Sequence, residues 1–290
     1  MEYGLILLSV VMFGACFALN DVYRKLRGSG LKQSLETTFI GSLAGIIVLI
    51  IFNGLKWEFT WFTLIMAMIA ALNGIGFTFC SFKALDVINL SLFSLFSMLG
   101  GMALPFLQGI LFYGEWNQIV AKIICFVCIS IALALTVTKG DDKKKSGTIY
   151  YIGIFVLNGM SGVLTKLYNT LPFARASAEG YSIWIAICSL VLAVVLWLVL
   201  YGKDKNGQPY TWKAAAVSAT SGTISRVANY LLVIALLTVD SSVQYPLVTG
   251  GVMIVSTLIC YLSDKKPTKK EWLSVAIAFV GMLALFAIPI

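Results

Sequence analysis

Histidine is absent from this chain, and acidic side chains are scarce: 13 Asp and Glu against 21 Lys and Arg in 290 residues. Without imidazole there is no His-based proton relay, no HExxH zinc site and no Ser–His couple. A phosphate-binding glycine loop and a nucleophile elbow are missing as well. Enzyme sites converge acidic, His or Cys groups, so the chain is expected not to be an enzyme and to need no cofactor or metal. The six cysteines all fall in apolar runs, and the Cys125–Cys128 spacing reads as helix packing and not as a redox or metal pair. Only 12% of residues are charged, which leaves no room for a separate soluble domain. The first apolar run follows "MEYG" without a basic leader or small-residue cleavage site, so it reads as a retained span.

What remains is apolar. Hydrophobic residues make up 59% of the chain, in repeated runs long enough to cross about 30 Å of hydrocarbon. Breaks at charges, Gly, Pro and Asn predict ten spans, at 4–24, 34–53, 60–83, 89–113, 118–138, 148–170, 179–201, 211–236, 241–262 and 271–289. The one long polar connector, "TKGDDKKKSG", sits at the midpoint. Matches at a near-constant offset flank it: Thr60–Trp61 with Thr211–Trp212, Ala84–Leu85 with Ala235–Leu236, Gly100–Gly101 with Gly250–Gly251 and Asn20 with Asn169. The expected architecture is an all-α membrane protein of ten transmembrane helices built as two five-helix repeats, 1–138 and 148–290, joined by a basic linker at 139–147. Five is odd, so the second repeat is expected to be inverted relative to the first, as in many secondary transporters.

Of the 21 basic residues, all but Lys56, Lys122, Lys166, Arg175 and Arg226 lie in or beside the loops after odd-numbered spans. The positive-inside rule makes those loops cytoplasmic and puts both termini outside the cell membrane. The same rule accounts for the net charge of +8 without nucleic acid. Expected partners are a small solute and membrane lipid, with the protein a monomer or homodimer.

Lys166 and Arg226 lie within spans, where a cation costs about 2.5–3.5 kcal/mol on insertion scales. No acid occupies the middle third of any span. Each cation therefore faces water, an anion, or carbonyls and carboxylates at a span end. Asn158, Ser161, Thr165 and Asn169 share one helical face, as do Ser218, Gly222, Ser225 and Asn229, and Asn73, Phe77 and Ser81. Asn73, Asn158, Asn229, Tyr230 and Gln244 join Lys166 and Arg226 as candidate solute-binding residues. The glycine pairs read either as sliding surfaces or as ordinary close packing.

"FTFCSFKALDVINLSLFSLFSMLGGMALPFLQGILFYGEW", residues 77 to 116, resembles the EamA repeat of the drug/metabolite transporter superfamily. Ala84–Leu85 and Gly114–Glu115 carry the resemblance. The second copy, through "YLSDKKPTKKEW", fits it more loosely. The resemblance implies a ten-span transporter of small metabolites with a central cavity. The first span, "LLSVVMFGACFALN", lacks the glutamate of the four-span cousins, so proton-for-cation antiport is not implied. The expected function is secondary transport of an anionic or zwitterionic metabolite, such as an amino acid, organic acid or phosphorylated metabolite. The alternatives are export of hydrophobic or cationic drugs, and a non-transport subunit or lipid-binding role.

Overall fold

The structure, a computed structural model, describes residues 2–54, 56, 58–88, 90–114, 119–136, 148–202, 210–235, 241–262 and 266–287. These form α1 (Glu2–Arg27), α2 (Leu31–Phe52), α3 (Trp61–Val87), α4 (Leu90–Tyr113), α5 (Ile119–Thr136), α6 (Thr148–Thr170), α7 (Ala178–Tyr201), α8 (Trp212–Ala235), α9 (Ser241–Tyr261) and α10 (Lys269–Ala287). Among the described residues there are no strands. The linker at 139–147 lies outside them.

Helix ends follow local chemistry. α1 runs past its expected limit because Arg24 and Lys25 pair with Asp21 across one turn, at 2.8 and 3.2 Å. It stops at Gly28, whose φ of 99° is open to glycine at little cost. Thr60 accepts from the Thr63 amide at 3.1 Å to start α3, and Thr211 accepts from the Ala214 amide at 3.4 Å to start α8. The repeated Thr-Trp pair is thus a repeated N-cap. At α10, Thr268 and Glu271 exchange side-chain and backbone bonds in a capping box.

Among the described residues, five helices contain stretches long and apolar enough to cross a membrane: Tyr3–Arg27, Leu31–Phe52, Trp61–Val87, Phe96–Tyr113 and Ala178–Tyr201. α8 falls below that level because Ser, Thr and Asn interrupt its apolar residues. Large apolar side chains such as Leu7, Ile51, Val199 and Leu262 are exposed, as lipid-facing residues are in membrane proteins.

Packing obeys a simple rule. α1 packs on α8 and α9, and α6 on α3 and α4; α2 packs on α8, and α7 on α3. α2 meets α7, α4 meets α9, and α5 meets α10. Advancing every helix number by five, with α6 to α10 returning to α1 to α5, maps this set onto itself. The strongest contacts lie between the sequence halves and not within them. The helices sort into one group of α1, α2, α8 and α9 and another of α3, α4, α6 and α7, joined to each other along α2–α7 and α4–α9, with α5 and α10 as a flanking pair.

Glycines hold each group together. A Cβ on Gly100 would collide with the Phe155 carbonyl of α6, one on Gly222 would overlap Gly41 of α2, and one on Gly251 would press on Val10 of α1. All three approaches lie inside a packed group. Of the two readings of the glycine pairs, these contacts fit close packing.

Candidate functional site

A cavity of about 370 Å³ opens between the two packed groups, a size at the small end of ligand sites. One wall comes from α1, α2, α8 and α9, the other from α3, α4, α6 and α7. Its polar lining is almost entirely neutral: Asn20, Thr37, Thr38, Thr78, Asn158, Ser161, Thr165 and Ser225 contribute hydroxyls and amides. Phe13, Phe17 and Phe77 supply an apolar, aromatic side. Among the described lining residues, Arg226 is the one charged side chain.

Arg226 reaches the cavity because α2 and α8 touch backbone to backbone at Gly41 and Gly222, and Gly45 leaves room for the Arg226 stem. Its Nη2 donates to Ser189 Oγ at 3.2 Å and to Ser42 Oγ at 3.4 Å. Ser42 belongs to α2 and Ser189 to α7, so the guanidinium bridges the two packed groups. A guanidinium has five N–H donors, and its Nε and Nη1 donors bond to no described residue.

The other candidates separate. Asn158 and Asn229 line the cavity with Arg226. Asn158 is steadied by donating to the Ser97 carbonyl at 2.6 Å, and Asn229 by donating to the Ser225 carbonyl at 2.8 Å. Asn73 instead joins α3 to α6, donating to the Leu157 carbonyl at 2.8 Å. Lys166 sits outside the lining, with Nζ 4.9 Å from the ring centroid of Tyr113 at the end of α4. Tyr230 also stands outside it, stacked on Phe52 with centroids 6.3 Å apart. Gln244 lies on α9, and its side chain is outside the described residues.

Ser42, Ser189, Asn20, Thr37 and Thr38 carry no sequence signal that marks them as site residues. A serine in an apolar helix normally serves packing. The one available signal was spacing, since Ser42 and Ser189 stand close to the repeat offset. Asn20 appeared only as a repeat match; it now accepts from Ser221 Oγ at 2.8 Å on the cavity wall.

At one end the cavity is sealed where α1 meets α3. Tyr23, fully buried, stacks on Phe82 at 5.7 Å. Beside them Arg24 pairs with Asp86, and Asp86 also accepts from Ser29. Arg27 pairs with Glu36 at 2.9 Å, with side chains only 6% and 11% exposed, and its guanidinium lies 4.9 Å from the Tyr210 ring centroid of the chain entering α8. At the opposite end the corresponding helices, α6 and α8, make no comparable packing among the described residues. Ser161 and Asn169 of α6 and Asn229 of α8 are exposed there.

A bundle of apolar helices around a polar, mouth-like cavity defines a multi-pass membrane protein that handles a solute. The family model described as "Sugar transport protein" matches residues 5–288, and the chain belongs to that family. It is 22% identical over 289 residues to a "Putative sugar uptake protein" of Lactiplantibacillus plantarum (strain ATCC BAA-793 / NCIMB 8826 / WCFS1), covering 97% of this chain and 98% of that one. A solved crystal structure superposes with a TM-score of 0.64 at 17% identity, over 97% of this chain and 94% of its own. That likeness shows the fold alone. The matched family is a sugar transport family and not the EamA family that residues 77–116 resemble; both agree on membrane transport of a solute.

Proposed function

We propose that this protein is a secondary transporter that carries a sugar across the cell membrane by alternating access. The observation that carries the reading is the cavity, whose lining is hydroxyl, amide and aromatic and comes from both packed groups. A sugar hydroxyl both donates and accepts, and so do Ser, Thr and Asn side chains. The apolar face of a pyranose suits an aromatic wall such as Phe13, Phe17 and Phe77. Family membership and the sugar uptake relative point to the same substrate class.

The five-helix offset in the packing supports an inverted repeat, and with it the drug/metabolite transporter kinship that the residue 77–116 motif suggests. In this reading the moving units are the two packed groups, not the two sequence halves. The Tyr23–Phe82 and Arg24–Asp86 contacts hold one face shut while α6 and α8 stand apart at the other. By the loop charges the sealed face is cytoplasmic. Closing α6 onto α8 and parting α1 from α3 would exchange the exposed face without repacking either group.

The test is counterflow in proteoliposomes loaded with unlabelled monosaccharides and exposed to labelled ones. Accumulation of label for at least one pentose or hexose, abolished by bulky substitution of Ser225, is expected. No counterflow with any monosaccharide or its acid, alongside intact folding, would sink the reading.

A further inference from the structure

We propose that the transported solute is a sugar acid, a polyhydroxylated frame carrying one carboxylate, and that Arg226 is the residue that selects the charge. The inference rests on the sugar reading above and narrows it.

Three observations combine. First, the cavity holds one cation and no carboxylate among its described lining residues. A guanidinium cannot shed its charge by deprotonation, so an apolar helix keeps one in place only where an anion or water meets it. Second, the Arg226 charge is not free to snorkel away. Its Nη2 is tethered to Ser42 and Ser189, its stem packs in the space left by Gly45, and its Nε and Nη1 donors bond to no described residue of a cavity that Arg226 lines. Third, the surroundings of that charge are neutral hydrogen-bonding groups: Asn229 one turn along α8, Ser225, and Asn158 across the space. A neutral hexose would use those groups but leave the cation uncompensated. A carboxylate on the same frame would meet it with charge-assisted hydrogen bonds, stronger than neutral ones.

The count of charges favours carboxylate over phosphate. A phosphate monoester carries close to two negative charges near neutral pH. Lys166 is held over Tyr113 and does not line the cavity, so a second cation is not at hand there. A cationic solute would be repelled by the field of Arg226 in a low-dielectric pocket.

The experiment measures binding to purified wild-type protein by thermal shift. It uses matched sets of gluco, galacto and manno configuration: hexose, hexuronate, hexuronamide and hexose 6-phosphate. The amide keeps the shape of the acid and removes its charge. In at least one set the hexuronate is expected to bind about tenfold tighter or more than its amide and its parent hexose. Arg226→Gln is expected to erase that difference, and Lys166→Gln to leave it unchanged. Should Arg226→Gln fail to fold, the acid-against-amide comparison in the wild type decides alone. Equal binding of hexose, amide and acid would overturn the sugar-acid assignment and leave the sugar reading standing. Tighter binding of the 6-phosphate than of the uronate, or loss of the preference in Lys166→Gln, would overturn it as well. If no member of any set binds, the sugar-acid assignment falls, and the counterflow assay decides the sugar reading separately.

Discussion

Ser42 and Ser189 accept hydrogen bonds from the same nitrogen of Arg226, at 3.4 and 3.2 Å, from helices that correspond under the five-helix offset. One cation is thereby tied to both packed groups at the point where they face each other. Removing either serine oxygen leaves a guanidinium donor without its partner, at about 1–3 kcal/mol. Ser189→Ala is expected to lower the unfolding temperature in detergent. Ser42→Ala, at the longer bond, should lower it less. Equal melting of both variants with wild type would mean that water replaces the serines.

The Gly41–Gly222 approach makes a sharper contrast. A Cβ at Gly222 has backbone atoms of Gly41 in its place, so Gly222→Leu should destroy the α2–α8 contact and yield aggregated protein. Nothing lies within 4 Å of a Cβ at Gly74. Gly74→Ala should fold and gain up to about 1 kcal/mol from helix propensity. Size-exclusion profiles and melting curves of the two variants check this.

The seal between α1 and α3 is expected to set which face is open. With Ser161→Cys placed at the mouth, a membrane-impermeant thiol reagent should label wild-type background from the side of the α6 C-terminus. Adding Arg24→Ala and Asp86→Ala should raise labelling from the opposite side. Unchanged labelling from both sides would show that Tyr23 on Phe82 suffices to hold the seal.

A pH effect is expected at the loop ahead of α3, outside the spans. Glu58 accepts from the Ser177 backbone amide, and that bond is the main reason its carboxyl lies below the ordinary range. The folded pKa is depressed, so the contact contributes above the unfolded carboxylate range, near 4.3. It is lost as pH falls through the lower folded value. Trp184 donates its indole N–H to the Glu58 carbonyl at 2.8 Å, which makes tryptophan fluorescence a local reporter. The acid-side change in that signal should vanish in Glu58→Gln.

The helices were legible in the sequence to within a few residues, because hydrocarbon thickness and hydrogen bonding dictate long apolar helices. Arg226 was legible for the same reason, since a mid-span charge has few bland explanations. Lys166 was not, because near a helix end a long stem can carry its charge to an aromatic ring. Asn73 looked like a cavity amide, but its partner is a carbonyl 84 positions away, which no local pattern announces. The repeat offset told which helices are equivalent, yet it said nothing of which ones touch.

The cross-half packing has a consequence for biogenesis. The principal partners of α1 are α8 and α9, and α8 begins at Trp212. At 5–20 residues per second the first helix waits roughly 10–40 s in the bilayer before its partners emerge from the ribosome. During that interval Ser9, Cys16 and Asn20 have none of the α8 groups they later contact. Insertion machinery or a lipid must shelter this orphaned surface, and a chain stalled after its fifth helix offers quality control an unfinished protein, not half a finished one.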